Sequence, residues 1–148
     1  MESAAQEIKL VVPSRIESLA LINAVAEEVA EQMSFDEEAR NAITISVVEA
    51  GTNAIQHGNR EDSSKPTEVR FRQEAGQLVI LIRDEGKGFD PSDVSDPLAA
   101  ENLFAESGRG VYILRSFMDE VDFSFHGGRG TECRLVKYLP SRAPSPRD

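Results

Sequence analysis

Val48-Glu49-Ala50-Gly51-Thr52-Asn53-Ala54-Ile55-Gln56-His57-Gly58-Asn59 is the stretch whose reading decides the fold, and Asp84-Glu85-Gly86-Lys87-Gly88-Phe89-Asp90 follows it in the second half of the chain. On a helix, a carboxylate and a carboxamide at i and i+4 project from one face. An Asp at a strand end followed by two spaced glycines makes a tight loop open to a ligand. Together the two stretches outline a nucleotide site.

Working outward, the apolar stripe Ala39, Ile43, Val47, Ala50 and Ala54 predicts a helix over 37–57, capped by Asp36 and stopped at Gly58-Asn59. Each step of four turns only about 40 degrees, so Glu49, Asn53 and His57 share a face beside that stripe. Gly51 inside this helix costs roughly 1 kcal/mol relative to Ala. It either lets a ligand or a strand approach closely or is simply tolerated. Before it, 7–13 (EIKLVVP) reads as a short strand ended by proline. Ser14-Arg15-Ile16-Glu17 has the capping-box pattern, and Leu19, Ile22, Ala26, Val29 and Met33 predict the first helix.

After the polar loop 60–66, strands at 67–73 and 77–83 around Ala75-Gly76 read as a hairpin. Leu78-Val79-Ile80-Leu81-Ile82 is apolar on both faces, hence central in its sheet, and delivers Asp84 at its end. Residues 90–107 mix Pro, Asp and Ser, the composition of a lid loop. Gly108-Arg109-Gly110 opens an apolar helix over 111–118, and 122–126 with 131–138 form a last hairpin. The order predicts an α+β two-layer sandwich, a mixed and mostly antiparallel sheet with helices on one face. One domain spans 1–139, and 140–148 is a flexible tail.

Composition narrows the function classes. The net charge is -10, from 26 acidic and 16 basic residues, which argues against nucleic acid as a direct partner. No apolar run reaches membrane-spanning length, and Met1-Glu2-Ser3 opens no signal segment, so a cytoplasmic protein with no membrane association is expected. The single cysteine, Cys133, has no Cys or His cluster beside it and reads as a small buried strand residue.

E-x-x-x-N-A-x-x-H-G on a helix, D-x-G-x-G-F after a strand, G-x-G at a helix start beyond a lid, and Gly130-Thr131 on a late strand resemble the four boxes of the GHKL, or Bergerat-fold, ATP-binding superfamily. Four boxes in the right order carry far more weight than any one of them. Within that superfamily the chain resembles the anti-sigma-factor serine/threonine kinases. Neither the phosphoacceptor helices of histidine kinases nor the transducer domain of gyrase- or chaperone-type relatives is expected from these residues.

The resemblance implies ATP and Mg2+ as cofactors. Asn53 would coordinate magnesium, and Glu49 would accept the proton of a serine or threonine hydroxyl as catalytic base. Asp84 would accept a hydrogen bond from the adenine amine, selecting adenine over guanine. Thr131 would add a hydroxyl there, and Gly86, Gly88 and Phe89 would shape the base and sugar pocket. Gly108 and Gly110 would turn backbone amides toward the phosphates. Arg109 either neutralises a phosphate or points to solvent. His57 and Asn59 extend the helix face toward phosphates or adenine, with His57 equally readable as a helix-end packing or capping residue. This chain has Glu106 where some anti-sigma kinases carry an arginine, leaving Lys87 and Arg109 as candidate cations for the terminal phosphate.

The implied partners are a STAS-type anti-anti-sigma protein as substrate and a sigma factor or other response regulator as target, met by a homodimer, with Arg15 and the first helix near the docking region. Two alternatives stand beside the kinase: a nucleotide-responsive binding module without transfer activity, and a stand-alone histidine-kinase-like catalytic domain.

Overall fold

The computed structural model describes residues 6–86, 109–125 and 130–140. The lid at 90–107, Lys87, Gly88, Phe89, Gly108, the turn at 127–129 and the tail from 141 lie outside the described residues.

Five strands form one sheet in the order β1-β2-β3-β5-β4: β1 Gln6–Pro13, β2 Pro66–Glu74, β3 Gln77–Asp84, β4 Glu120–Phe125 and β5 Thr131–Tyr138. Every pairing is antiparallel, so among the described residues the expected mixed sheet is wholly antiparallel. The hairpin of β2 and β3 closes on Glu74↔Gln77, with Gly76 at φ 82, a left-handed conformation that glycine adopts at no steric cost. β3 is central, as its two-faced apolar run predicts, flanked by β2 and β5.

The helices are α1 Ser18–Gln32, α2 Glu37–Thr52 and α3 Arg109–Phe117, with α2 touching both of the others. Their inward residues, Ile22, Val29, Ile43, Val47 and Leu114 among them, pack against Val69, Phe71, Ile80, Ile82 and Leu135 in one core. On the opposite face of the sheet, which no described helix covers, Val79, Leu81 and Val136 form a small second cluster. Arg70, paired across the sheet with Leu81, bonds Glu132 at 3.0 Å and also approaches Glu7 and Glu68. Arg134, on the other side of Leu81, bonds Glu120 and Asp122. The aliphatic stems of these arginines flank the apolar strip while their heads stay solvated in ion pairs.

Two local expectations meet different fates. Asp36 caps α2 as predicted, its Oδ1 accepting from Ala39 N at 2.8 Å. The capping box at Ser14 and Glu17 does not form: α1 starts at Ser18, whose Oγ donates to the Pro13 carbonyl, and Glu17 makes no side-chain cap. Ser14 is fully buried and hydrogen-bonds Thr67 Oγ1 at 2.8 Å, a longer-range partner that outcompetes the local cap. Between the helices, Ser34 N donates to Glu31 O and Phe35 N to Ala30 O, a Schellman closure with Ser34 at φ 68 and Phe35 buried behind it.

Candidate functional site

The helix predicted over 37–57 is α-helical only to Thr52 and widens into a π-helical turn over Asn53–Gly58. Asn59 N reaches back five residues to Ala54 O at 2.8 Å. Such turns recur at functional sites because they displace the residues that follow them. Glu49 and Asn53 keep their α-helical relation, since Asn53 N still bonds Glu49 O, but the wider turn changes the angular step from Asn53 to His57.

The displaced end of the turn packs on the end of β3. A Cβ on Gly58 would stand 2.3 Å from the Asp84 carboxylate, and one on Gly86 would stand 1.7 Å from the Gly58 carbonyl oxygen. Gly130, at φ 119, lets its backbone lie against the Asp84 carbonyl, where a Cβ would come within 2.0 Å. Glycines from three separate segments therefore cradle Asp84, which is 2% exposed. Burial pushes its carboxyl up to about 6, against the opposing pull of Gly86 N at 3.0 Å, Thr131 N and the Arg83 charge.

Asp84, Asn53 and Thr131 converge on a hollow floored by Ile82 and Cys133 and walled by Ala50 and Ala54. Its enclosed part offers about 10 Å³ of water-sized space, room for about one water. With its open mouth the atom-free space is about 250 Å³. Asn53 Nδ2 and Thr131 Oγ1 are buried there with no hydrogen-bond partner among the described residues. Buried donors and acceptors are nearly always paired, so two orphans beside a buried carboxylate mark a place where a ligand supplies the missing partners. Cys133 is a buried, free strand cysteine as expected, its thiol pushed up chiefly by burial.

The other predicted residues divide. Glu49 and His57 are half-buried, and no bond of their side chains to a described residue is present. Arg109 and Gly110 open α3, with Gly110 buried. Gly51 faces α1 rather than a strand or the hollow: a Cβ there would touch Leu19 Cδ2 at 3.0 Å, so the missing side chain lets the two helices approach.

Asn59 departs most from expectation. It is 1% exposed, and its amide is consumed within the protein rather than free for phosphates or adenine. Its Nδ2 donates to Ser14 Oγ at 2.7 Å and Pro66 O at 3.1 Å, with Lys65 O and Thr67 Oγ1 at 3.3 Å. Its Oδ1 accepts from Glu85 N at 2.9 Å. The residues missed from sequence are its partners Ser14 and Thr67 and the glycine Gly58. Only the clustering of small polar residues near two prolines hinted at them.

A two-layer α+β fold with a glycine-cradled Asp facing an N-bearing helix defines a class, the histidine kinase-like ATPase domain, and the sequence model of that family matches residues 12–137. The chain belongs to this family and, within it, groups with the RsbW serine-protein kinases. Serine-protein kinase RsbW of Bacillus subtilis (strain 168) is 30% identical over 145 residues, covering 94% of this chain and 89% of the relative. RsbW of Bacillus cereus (strain ATCC 10987 / NRS 248) is 30% identical over 143 residues, covering 90% and 86%. Among solved structures, that of the RsbU and RsbW domains of Rv1364c from Mycobacterium tuberculosis superposes with a TM-score of 0.67 at 17% identity. It covers 90% of this chain and 32% of that one, and it establishes the shared fold. Among the described residues no helix is long and apolar enough to cross a membrane.

Proposed function

We propose that the chain is an ATP- and magnesium-dependent protein serine/threonine kinase acting as an anti-sigma factor in a partner-switching system, with a STAS-type anti-anti-sigma protein as its substrate. Phosphorylating that substrate releases it and frees the kinase to hold its sigma factor or comparable regulator. The reading takes one domain over 1–139, working in the cytoplasm as a homodimer without touching nucleic acid. The observation that carries it is the pair of orphaned buried groups, Asn53 Nδ2 and Thr131 Oγ1, beside the buried carboxylate of Asp84.

The residues fit the adenine of a nucleotide. The Asp84 carboxylate is an acceptor for an exocyclic amine, and guanine would turn a carbonyl to it instead. Thr131 can bond the same region of the base. Glycine at 58, 86 and 130 lets the backbone close around Asp84 where a side chain at any of them would collide. Magnesium is usually held by one or two protein oxygens together with phosphates. Asn53 Oδ1 would hold it, and bound there it supplies charge neutralisation at the phosphates. Glu49, one turn before Asn53 and half-buried, is the carboxylate able to accept the proton of an incoming serine or threonine hydroxyl.

Incubation with labelled ATP, magnesium and a STAS protein encoded nearby tests the proposal. Wild type transfers label to a serine or threonine. Glu49→Ala lowers transfer by about 10²-fold or more, the usual contribution of a general base, while ATP binding persists. Transfer to no neighbouring STAS protein despite ATP binding would reduce the molecule to a nucleotide-responsive binding module. Label on a histidine would move it to the histidine-kinase-like alternative.

A further inference from the structure

We propose that Asn59, locked by Ser14 and Thr67, is a positioning residue that sets base selectivity by fixing the Asp84-Glu85-Gly86 turn against the end of the π-helical turn. The inference rests on the adenine-nucleotide reading above and assigns to that site a residue that touches no nucleotide. Its basis is a continuous set of contacts across four segments. Asn59 Oδ1 accepts from Glu85 N at 2.9 Å, the amide that immediately follows Asp84. Gly86 N, one residue further, donates to Asp84 Oδ1 at 3.0 Å. The anchor and the carboxylate are therefore joined through two consecutive peptide groups of one short turn.

The other end of Asn59 is held just as firmly. Its Nδ2 lies 2.7 Å from Ser14 Oγ, and Ser14 in turn bonds Thr67 Oγ1 at 2.8 Å and donates to the Lys65 carbonyl. Ser14, Asn59 and Thr67 are all buried to 1% exposure or less. A buried amide with both ends satisfied has one orientation, because flipping it would set Nδ2 against the Glu85 donor and Oδ1 against carbonyl oxygens. The corner between β1 and α1 thereby fixes the rotamer of Asn59, and Asn59 fixes the turn that aims Asp84.

Asp84 itself is held at the strand end by its pairing with Thr131, and Gly86 N closes the turn on its carboxylate. Gly58 and Gly86 pack backbone to backbone without side chains, so their close approach excludes atoms but supplies no directional bond. The glycine contacts determine how near the turn can come, and Asn59 determines how it is oriented.

Two variants probe the link at different distances. Asn59→Ala removes the anchor. Ser14→Ala leaves the Oδ1 acceptor in place, frees only its holder, and keeps the test open where the first variant folds poorly. For both, ATP and GTP affinities and the exchange rates of the Glu85, Gly86 and Ile80 amides are measured on the full chain. The expected result in Asn59→Ala is an ATP affinity lower by on the order of tenfold, the size of one lost buried hydrogen bond, with GTP affinity nearly unchanged. The ATP-to-GTP ratio should fall in the same direction, and by less, in Ser14→Ala. Exchange at Glu85 and Gly86 should accelerate while Ile80, in the middle of β3, stays protected. General loss of structure would lower both nucleotides together and expose Ile80 as well. Variants that keep the wild-type ratio and slow exchange at Glu85 overturn the positioning role. Wild type that prefers neither nucleotide overturns the adenine reading itself, and the inference with it.

Discussion

Two asparagines six positions apart stand in neighbouring regions of the molecule and do opposite things. Asn59 closes a buried network in which its donors and its acceptor all have partners. Asn53, lining the hollow beside Asp84, leaves its Nδ2 buried with no partner among the described residues, as Thr131 leaves its hydroxyl. The same side chain is scaffold in one place and an open valence in the other. A folded chain can tolerate a few unsatisfied buried groups when something else completes them, and the contrast locates the ligand better than burial alone, since both residues are buried. It also ranks stability against binding. Changes on the Asn59 side should cost folding energy and reach affinity only through the Asp84 turn, and changes on the Asn53 side should cost affinity with folding little altered or improved.

The hardest blow to that comparison would fall on the Asn59 side. Asn59→Ala strands Glu85 N and removes the donor to Pro66 O, two part-buried backbone groups, and empties a site that is itself buried. A loss of about 2–4 kcal/mol is expected in urea unfolding. Asn53→Ala removes an amide that bonds no described residue, and its unfolding midpoint should move by less than about 1 kcal/mol while ATP binding weakens sharply. Equal losses in the two variants would erase the distinction.

How much of this contrast could be read in the sequence follows from which interactions are local. The i, i+4 relation of Glu49 and Asn53, the Asp36 cap, the central strand at 77–84 and the hairpins depend on neighbours a few residues away, and all are present. Local spacing pairs Ser14 with Glu17 three residues on, whereas its partners Lys65 and Thr67 lie more than fifty residues on. The motif extends the Glu49, Asn53 and His57 face to Asn59 at the Gly58-Asn59 stop, and the π-helical turn with its buried partners takes Asn59 away from it. Gly51 shows the same limit: its spacing suited a ligand or a strand, but the close neighbour is Leu19 on another helix. Residue types told what chemistry was available. Which atoms remained unsatisfied after folding depended on contacts between distant segments.

Asp84 sharpens the comparison from the side of charge. Its carboxyl is raised from 3.8 to about 6, chiefly by burial, so the folded state holds that proton more tightly than the unfolded chain does. The associated stability is fully present below the unfolded value and is lost as pH rises through about 6. Asp84→Asn cannot titrate and avoids burying the charge. It should therefore be more stable than wild type at pH 8 by on the order of 1–3 kcal/mol, with the advantage shrinking toward pH 4. The same variant should bind ATP poorly, because a carboxamide can present its donor to the adenine amine and lacks the charge that strengthens the bond. Thermal unfolding across pH with parallel ATP titrations would check both halves. A variant less stable than wild type at pH 8 would mean that the Gly86 and Thr131 amides depend on the full carboxylate.

The smallest effect belongs to Thr131, and it bears most directly on what an orphaned group means. Its hydroxyl is buried, 2% exposed, and bonds no described residue. Thr131→Val keeps the branched shape that suits the start of β5 and deletes only that oxygen. If the hydroxyl is held in reserve for a ligand, folding gains from its removal, because an unpaired buried polar group costs more than the methyl that replaces it. The expected gain is at most about 1 kcal/mol, reduced toward zero if the one water that the hollow can hold already bonds the oxygen. ATP affinity should fall by a few-fold, on the order of one modest hydrogen bond. A midpoint that rises or stays level while affinity falls assigns the oxygen to binding. A midpoint that drops along with affinity would show that Thr131 supports the strand end itself, and that an unpaired atom beside Asp84 does not by itself identify a ligand's partner.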